Sequence, residues 1–449
     1  MKLINKIFLI SCVVAVAASC KKSEDLNLTQ PVGLGGEVVA RNAIDKWLLD
    51  SLTTPYNIAV KYRWDAWELN LNKTLTPPDE SRIIAAMSAI KRVWIDPYNA
   101  ETGSEVFIKK YSPKQFVLVG SVEYNYNGTV VLGQAEGGNN IAYFDINQNF
   151  DRNSVTSIQR MIQTSHHEFA HILHQTVMYP QDFKFITSNL GLPGYTATWF
   201  NVSEAEALSW GYLTPYSMAS YDEDFVEMIA NMLMLGKSKF DEVVASTNTA
   251  AQQSLRAKEQ IVVTYFQQVW NINFYSLQNR VQAALNALVP PPTIADGYGF
   301  GKMFTRASVN PTSALLPQPA AFMAIYNSSK NAVAAMPGLN LIMDSMAVIT
   351  PAANTAVLRV YLRQGTTNFL ADFTHSLTKD ASNLYTFTYV GANGNGNLIR
   401  TAVTPLLNYF ANNKFTLSWY RDPSVSIYPR IQFTPQALPG TYFIARLFP

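Results

Sequence analysis

The chain has 449 residues, 48% of them hydrophobic, which is enough to bury a substantial core without cross-links. Its 34 basic and 32 acidic residues give a formal net charge of +2, so there is no electrostatic case for a nucleic-acid partner. The two cysteines, Cys12 and Cys20, both lie near the start, and no disulfide is expected in the folded part.

Lys2 and Lys6 precede an apolar stretch over 7–18 that is too short to span a bilayer and that ends at Ala17-Ala18-Ser19-Cys20. This pattern reads as a lipoprotein signal peptide over 1–19, with cleavage leaving Cys20 to carry a lipid anchor. Loss of Lys2 and Lys6 then brings the mature chain close to neutrality. A tether over 20–36 follows, and no other apolar run is long enough for a transmembrane helix. A first globular region is expected over 37–289. Within it, helices are expected over 38–52 and 80–94, and strands over 57–62, 107–108 and 115–122. Stretches 129–132 and 140–145 flank the turn-rich run 133–138, which reads as a hairpin.

Four of the five histidines then fall within nine positions, in His166-His167-Glu168-Phe169-Ala170-His171-Ile172-Leu173-His174. Apolar residues at Ile158, Met161, Ile162, Phe169, Ile172 and Leu173 recur at helical spacing, so the run sits in a buried amphipathic helix. On a helix, positions i and i+4 stand about 40° apart and about 6 Å along the axis, which lets His167 and His171 grip one metal ion. Glu168 leans toward the same side, where its carboxylate can take a proton from activated water. A catalytic zinc site takes three protein ligands. His174 lies about 10.5 Å along the axis from His167, too far to share the ion on an unbroken helix, and is expected behind the ligands or in a structural role. His166, turned about 100° away from His167, is not expected to bind metal. A second helix is expected to begin near Tyr221. Its acidic first turn suits the positive end of the helix dipole, and Glu223 and Glu227 share a face. Glu204 and Glu206 are rival carboxylates, although Ser203 with Glu206 reads as a capping box that opens another helix.

The segment Glu223-Asp224-Phe225-Val226-Glu227, paired with the histidine motif, resembles the glutamate helix of the gluzincin metallopeptidases. That resemblance implies Glu223 as third zinc ligand, Glu227 as the carboxylate holding a ligand histidine by its other ring nitrogen, and Tyr216 as a phenol facing the metal that stabilises the oxyanion. Over roughly 21–289 the chain also resembles zinc metallohydrolase lipoproteins of Bacteroidetes associated with TonB-dependent import systems of the SusC/SusD type. The residues that carry this are Pro55-Tyr56-Asn57-Ile58, Val60-Lys61-Tyr62-Arg63-Trp64, Leu75-Thr76-Pro77-Pro78 and the two metal-site helices. It implies a lipid anchor in the outer membrane, a protein or peptide substrate and SusC/SusD-type partners. Glu24 and Asp25, just behind Cys20, are similar to surface-export signals in such bacteria.

Beyond the motif the chain reads as helical to 289, with long runs at 255–270 and 275–288. Pro290-Pro291-Pro292 must end that run and marks a domain boundary. Over 290–449 alternation takes over, with strands expected at 357–363, 384–390, 415–420 and 442–448 and turns at 391–397. His375, alone there, reads as a structural residue. The fold class is therefore α+β: a gluzincin-like domain of mixed sheet and helical lobe, followed by an all-β, sandwich-like domain that binds a ligand or docks against a neighbour. The function expected is zinc-dependent peptide hydrolysis. The competing expectation is a binding or docking lipoprotein whose metal site is structural or vestigial.

Overall fold

The computed structural model of the protein describes residues 40–449 apart from 66–67, 70–71, 127, 132, 137–139, 149–154 and 314–315. The expected signal peptide, Cys20 and the tether lie outside the described residues. Among those described, no helix is long and apolar enough to cross a membrane. Residues 47–449 form one compact unit.

The first sheet contains β1 (Ala59–Lys61), β2 (Gln115–Leu118), β5 (Gly133–Glu136) and β6 (Asn140–Tyr143) in the order β1-β2-β6-β5. The first three neighbours run parallel and β5 runs antiparallel at the edge. A parallel pair needs a long crossover, and between β1 and β2 the chain supplies helices Glu80–Ile90, Asp96–Thr102 and Val106–Tyr111. Residues 107–108, expected as strand, lie inside the last of these, where Phe107 stacks on Tyr98 with centroids 6.0 Å apart. Side-chain packing overrode their β-propensity. The hairpin also differs from expectation: β6 pairs with β5, which occupies the turn-rich run, while β4 (Val130–Val131) pairs with β3 (Glu123–Tyr124).

One long helix, Val155–Thr176, carries the histidine motif across this sheet. Phe169 beds its buried face against Trp94 and Tyr98, each with ring centroids 5.2 Å away in edge contact. Tyr143 of β6 reaches the helix through a 3.0 Å hydrogen bond with Ser165. Beneath it run helices Tyr221–Ala245, Thr249–Trp270 and Phe274–Leu288. Each is capped at its start: Ser220, Asn248 and Asn273 accept from the backbone N–H three residues on. The Ser203–Glu206 capping box is present as read.

After the prolines, β7 (Arg306–Val309), β8 (Ile342–Ala352), β9 (Thr355–Gln364), β10 (Thr367–Lys379), β11 (Tyr385–Ala392), β12 (Lys414–Arg421), β13 (Arg430–Pro435) and β14 (Phe443–Phe448) form the antiparallel β region that alternation predicts. Its sheet closes on itself, with β14 beside β7 and β9 beside β10, which leaves no free edge. Helices Ala320–Ala334 and Thr404–Ala411 lend Phe322, Tyr326, Leu406 and Phe410 to the same core as Phe433 and Phe443. Stretch 391–397, expected as turn, is partly strand and partly the short helix Gly394–Ile399. His375 is buried, with Nδ1 2.9 Å from the Phe373 carbonyl, as a structural histidine should be.

The barrel is fastened to the helical lobe at Glu242, whose carboxylate accepts from Ser426 Oγ at 2.7 Å and the Ile427 N–H at 2.9 Å and faces Arg421 at 3.1 Å. Deeper in the lobe, Asp224 and Lys258 are wholly buried and 2.7 Å apart, and Lys258 also donates to the Gly211 carbonyl at 2.8 Å. Gly211 must be glycine: its φ is +80° and a Cβ would stand 2.6 Å from Ser254. Removing one member of such a pair leaves an uncompensated buried charge. Lys258→Met should therefore lower unfolding free energy in urea by about 3–5 kcal/mol, and adding Asp224→Leu should recover most of it. A cost under about 1 kcal/mol for the single change would contradict this reading.

Candidate metal centre

His167 and His171 project from one face of their helix with ring centroids 4.9 Å apart, and Glu223 meets them from the first turn of the glutamate helix. Glu223 Oε2 lies 3.2 Å from His167 Nε2 and 3.4 Å from His171 Nε2. That oxygen is buried and makes no hydrogen bond among the described residues. Two donors about 2.0–2.1 Å from a tetrahedral ion stand about 3.3–3.4 Å apart, so the spacing fits zinc. The donor set of two imidazoles and a carboxylate fits it chemically as well.

Behind each histidine stands a group that fixes its ring. Glu227 Oε1 is 2.9 Å from His167 Nδ1, and its other oxygen accepts from Thr214 at 2.7 Å and Asn231 at 3.1 Å. His174 Nε2 is 3.0 Å from His171 Nδ1. Burial, helped by neighbouring His171, pushes His174 down to about 4, so at neutral pH it is an uncharged acceptor. It can take the Nδ1–H of His171, which aims the Nε2 lone pair of that ring at Glu223. His174 thus sits behind a ligand rather than among the three. His166 is fully buried, and burial pushes it down to about 3, so it stays neutral. Glu206 is engaged in its cap with Ser203, and neither it nor the exposed Glu204 joins the cluster.

Glu168 lies beside His167 on the wall of an open cleft of about 440 Å³, which Tyr216, Trp199, Arg160 and Thr129 also line. The Tyr216 ring stacks near His167, with centroids 5.9 Å apart, and packs edge-on against Trp199 at 4.9 Å. Burial, reinforced by the Glu223 carboxylate, pushes the Tyr216 phenol up, which keeps it a neutral hydrogen-bond donor. Thr214, Asn231 and Trp199 are not singled out by the sequence. Asn231 was within reach, standing four residues after Glu227 on one helix face. Thr214 comes from a loop and Trp199 from the single 3-10 turn Trp199–Asn201, neither with a periodic signal.

The electrostatics without metal give a pH prediction. Burial alone would lower His167, but Glu223 and Glu227 override it and the imidazole is pushed up to about 10. At pH 7 it is therefore protonated, and Nε2 must lose its proton to become a ligand. Zinc binding at pH 7 should release about one proton from this group, and apparent affinity should fall up to tenfold per unit as pH drops. Calorimetry in buffers of different ionisation enthalpy reads the proton count; a count near zero contradicts the assignment. Glu227→Gln removes part of the field and the fixed ring, and should weaken zinc binding about 10–100-fold.

No curated protein matches the chain. A crystal structure described as that of "a putative zinc-binding metallo-peptidase from Bacteroides caccae" is similar at 28% identity, covering 55% of this chain and 92% of that one, with a TM-score of 0.47. A family model described as "Putative zinc-binding metallo-peptidase" matches residues 37–275, more than half of the chain and the whole of the site above. The protein belongs to that zinc-binding metallo-peptidase family.

Proposed function

We propose that the chain is a zinc-dependent peptidase, held at the outer membrane through Cys20, that cleaves proteins or peptides in connection with a TonB-dependent import system. The observation that carries the enzymatic reading is the placement of Glu168 and Tyr216 beside the three-ligand cluster on the wall of an open cleft. A structural zinc site closes its fourth position with protein, whereas of the two remaining histidines of the run His174 is turned to the back of His171 and His166 is buried outside the cluster. This weakens the alternative of a binding lipoprotein with a structural metal.

Zinc bound here would supply Lewis acidity, polarising a carbonyl and making water acidic near neutral pH. Glu168 then serves as the base: its carboxylate accepts the proton of the attacking water and later delivers it to the leaving amine nitrogen. Tyr216, neutral and donating, is positioned to stabilise the oxyanion that forms on the scissile carbonyl. Antiparallel β5, at the sheet edge before the histidine helix, is the strand along which an extended peptide can pair by backbone hydrogen bonds. The membrane address and the SusC/SusD-type partners rest on the sequence resemblance and on the run ending Ala17-Ala18-Ser19-Cys20.

Glu168→Gln should keep stoichiometric zinc yet lose at least about 100-fold in turnover of a proteome-derived peptide library, read by mass spectrometry. A wild-type protein that holds zinc and cleaves nothing the variant spares would favour the binding reading. In cells, Cys20→Ala should move the protein out of the membrane fraction, and unchanged fractionation would remove the lipid-anchor proposal.

A further inference from the structure

The barrel carries a cavity of about 330 Å³ on its outer face, where Arg306, Arg446, Ser308, Ser345, Asn310 and Tyr361 share the lining with apolar Val309, Leu316 and Phe448. Strands β14, β7, β8 and β9 lie side by side there. Arg306 and Ser308 alternate with buried Ala307 and Val309, so they point away from the barrel core. Across the β7–β14 ladder Arg306 stands opposite Phe448 and Ser308 opposite Arg446, which makes the two arginines close neighbours.

These guanidiniums are held differently from three others of the barrel. Arg359 is paired with Asp372 at 2.7 Å, Arg363 with Asp344 at 3.2 Å and Arg421 with Glu242 at 3.1 Å. Among the described residues Arg306 and Arg446 have no carboxylate within 4 Å. They rest on rings instead: Arg306 4.6 Å over Phe448, and Arg446 between Phe448 at 4.9 Å and Tyr428 at 4.0 Å. A ring face engages the flat side of a guanidinium and leaves its N–H edge free to donate. Arg306 Nε is buried and, among the described residues, has no hydrogen-bond partner. Two like charges side by side, held in place by aromatic stacking and bordered by hydroxyl and amide groups, make a preformed site for negative charge.

We propose that this cavity binds an oxyanion group, a carboxylate, phosphate or sulfate, gripped by the N–H edges of Arg306 and Arg446 while Ser308, Ser345 and Asn310 contact the hydroxylated body that carries it. The site is separate from the metal centre and does not depend on the peptidase reading. It gives the C-terminal barrel a ligand-binding role of its own.

Titration of the full-length mature chain at constant ionic strength, with inorganic phosphate, sulfate, sodium glucuronate and neutral glucose as probes, tests this by calorimetry. At least one anion should bind saturably and glucose should not. Tighter binding of glucuronate identifies a carboxylated sugar-like ligand, and saturation by the inorganic ions alone identifies a free anion. R306Q/R446Q should weaken binding at least tenfold, while R306K/R446K, which keeps charge without the planar fork, should fall between. Circular dichroism and zinc content check that each variant is folded. Should a variant unfold, the Arg306 Nε–H resonance of the wild type, followed by NMR through the same titration, must shift with saturation. Absence of saturable binding by any anion, equal binding by a folded R306Q/R446Q, or an unmoved Nε–H resonance would overturn the proposal.

Discussion

Everything at the metal centre depends on how His167 is held. Glu223 and Glu227, four residues apart on one helix, contact its two ring nitrogens at 3.2 and 2.9 Å. One carboxylate marks where the ion belongs, and the other fixes which nitrogen faces it. That grip works only if the histidine helix and the glutamate helix cross at a fixed height, and the surrounding structure is built to hold it. Phe225 stacks on Tyr179 at 4.0 Å, Tyr179 donates to Asp222 at 2.6 Å, and Asp224 is tied to Lys258. The residues on either side of Glu223 thus anchor the first turn that presents it.

The same helix links the site to the barrel. Past a break at Gly236, where φ is +72° and the backbone leaves helical geometry, the chain continues to Glu242, which the barrel grips through Ser426, Ile427, Arg421 and Arg430. A non-glycine residue at Gly236 would be strained, so the bend belongs to this sequence. The Trp419 indole, donating to the Pro292 carbonyl at 3.1 Å, holds the barrel at the prolines that end the helical run.

The parts legible in sequence were those governed by local periodicity. The spacing of His167 and His171, the acidic first turn at Glu223, the Ser203–Glu206 cap and the alternation over 357–363 each encode geometry within a few residues, and the structure follows them. What was not legible depends on distant partners. Phe107 becomes helical because Tyr98 and Phe169 receive its ring, and β5 forms in a glycine-bearing run because β6 offers it an edge. The closure of the C-terminal sheet follows from β14 meeting β7 across more than a hundred residues, and no local pattern encodes that. Thr214 reaches Glu227 from a loop, where periodicity has nothing to say.

The central claim is that His167, His171 and Glu223 converge on one zinc ion. A crystal of the zinc-loaded protein, with diffraction collected just above and just below the zinc absorption edge, tests it directly. The account predicts a single strong anomalous peak about 2.0–2.2 Å from His167 Nε2, His171 Nε2 and a Glu223 oxygen, with His174 remaining behind His171. A peak that lies elsewhere, or one ligated by His174 as a fourth protein group, would contradict it.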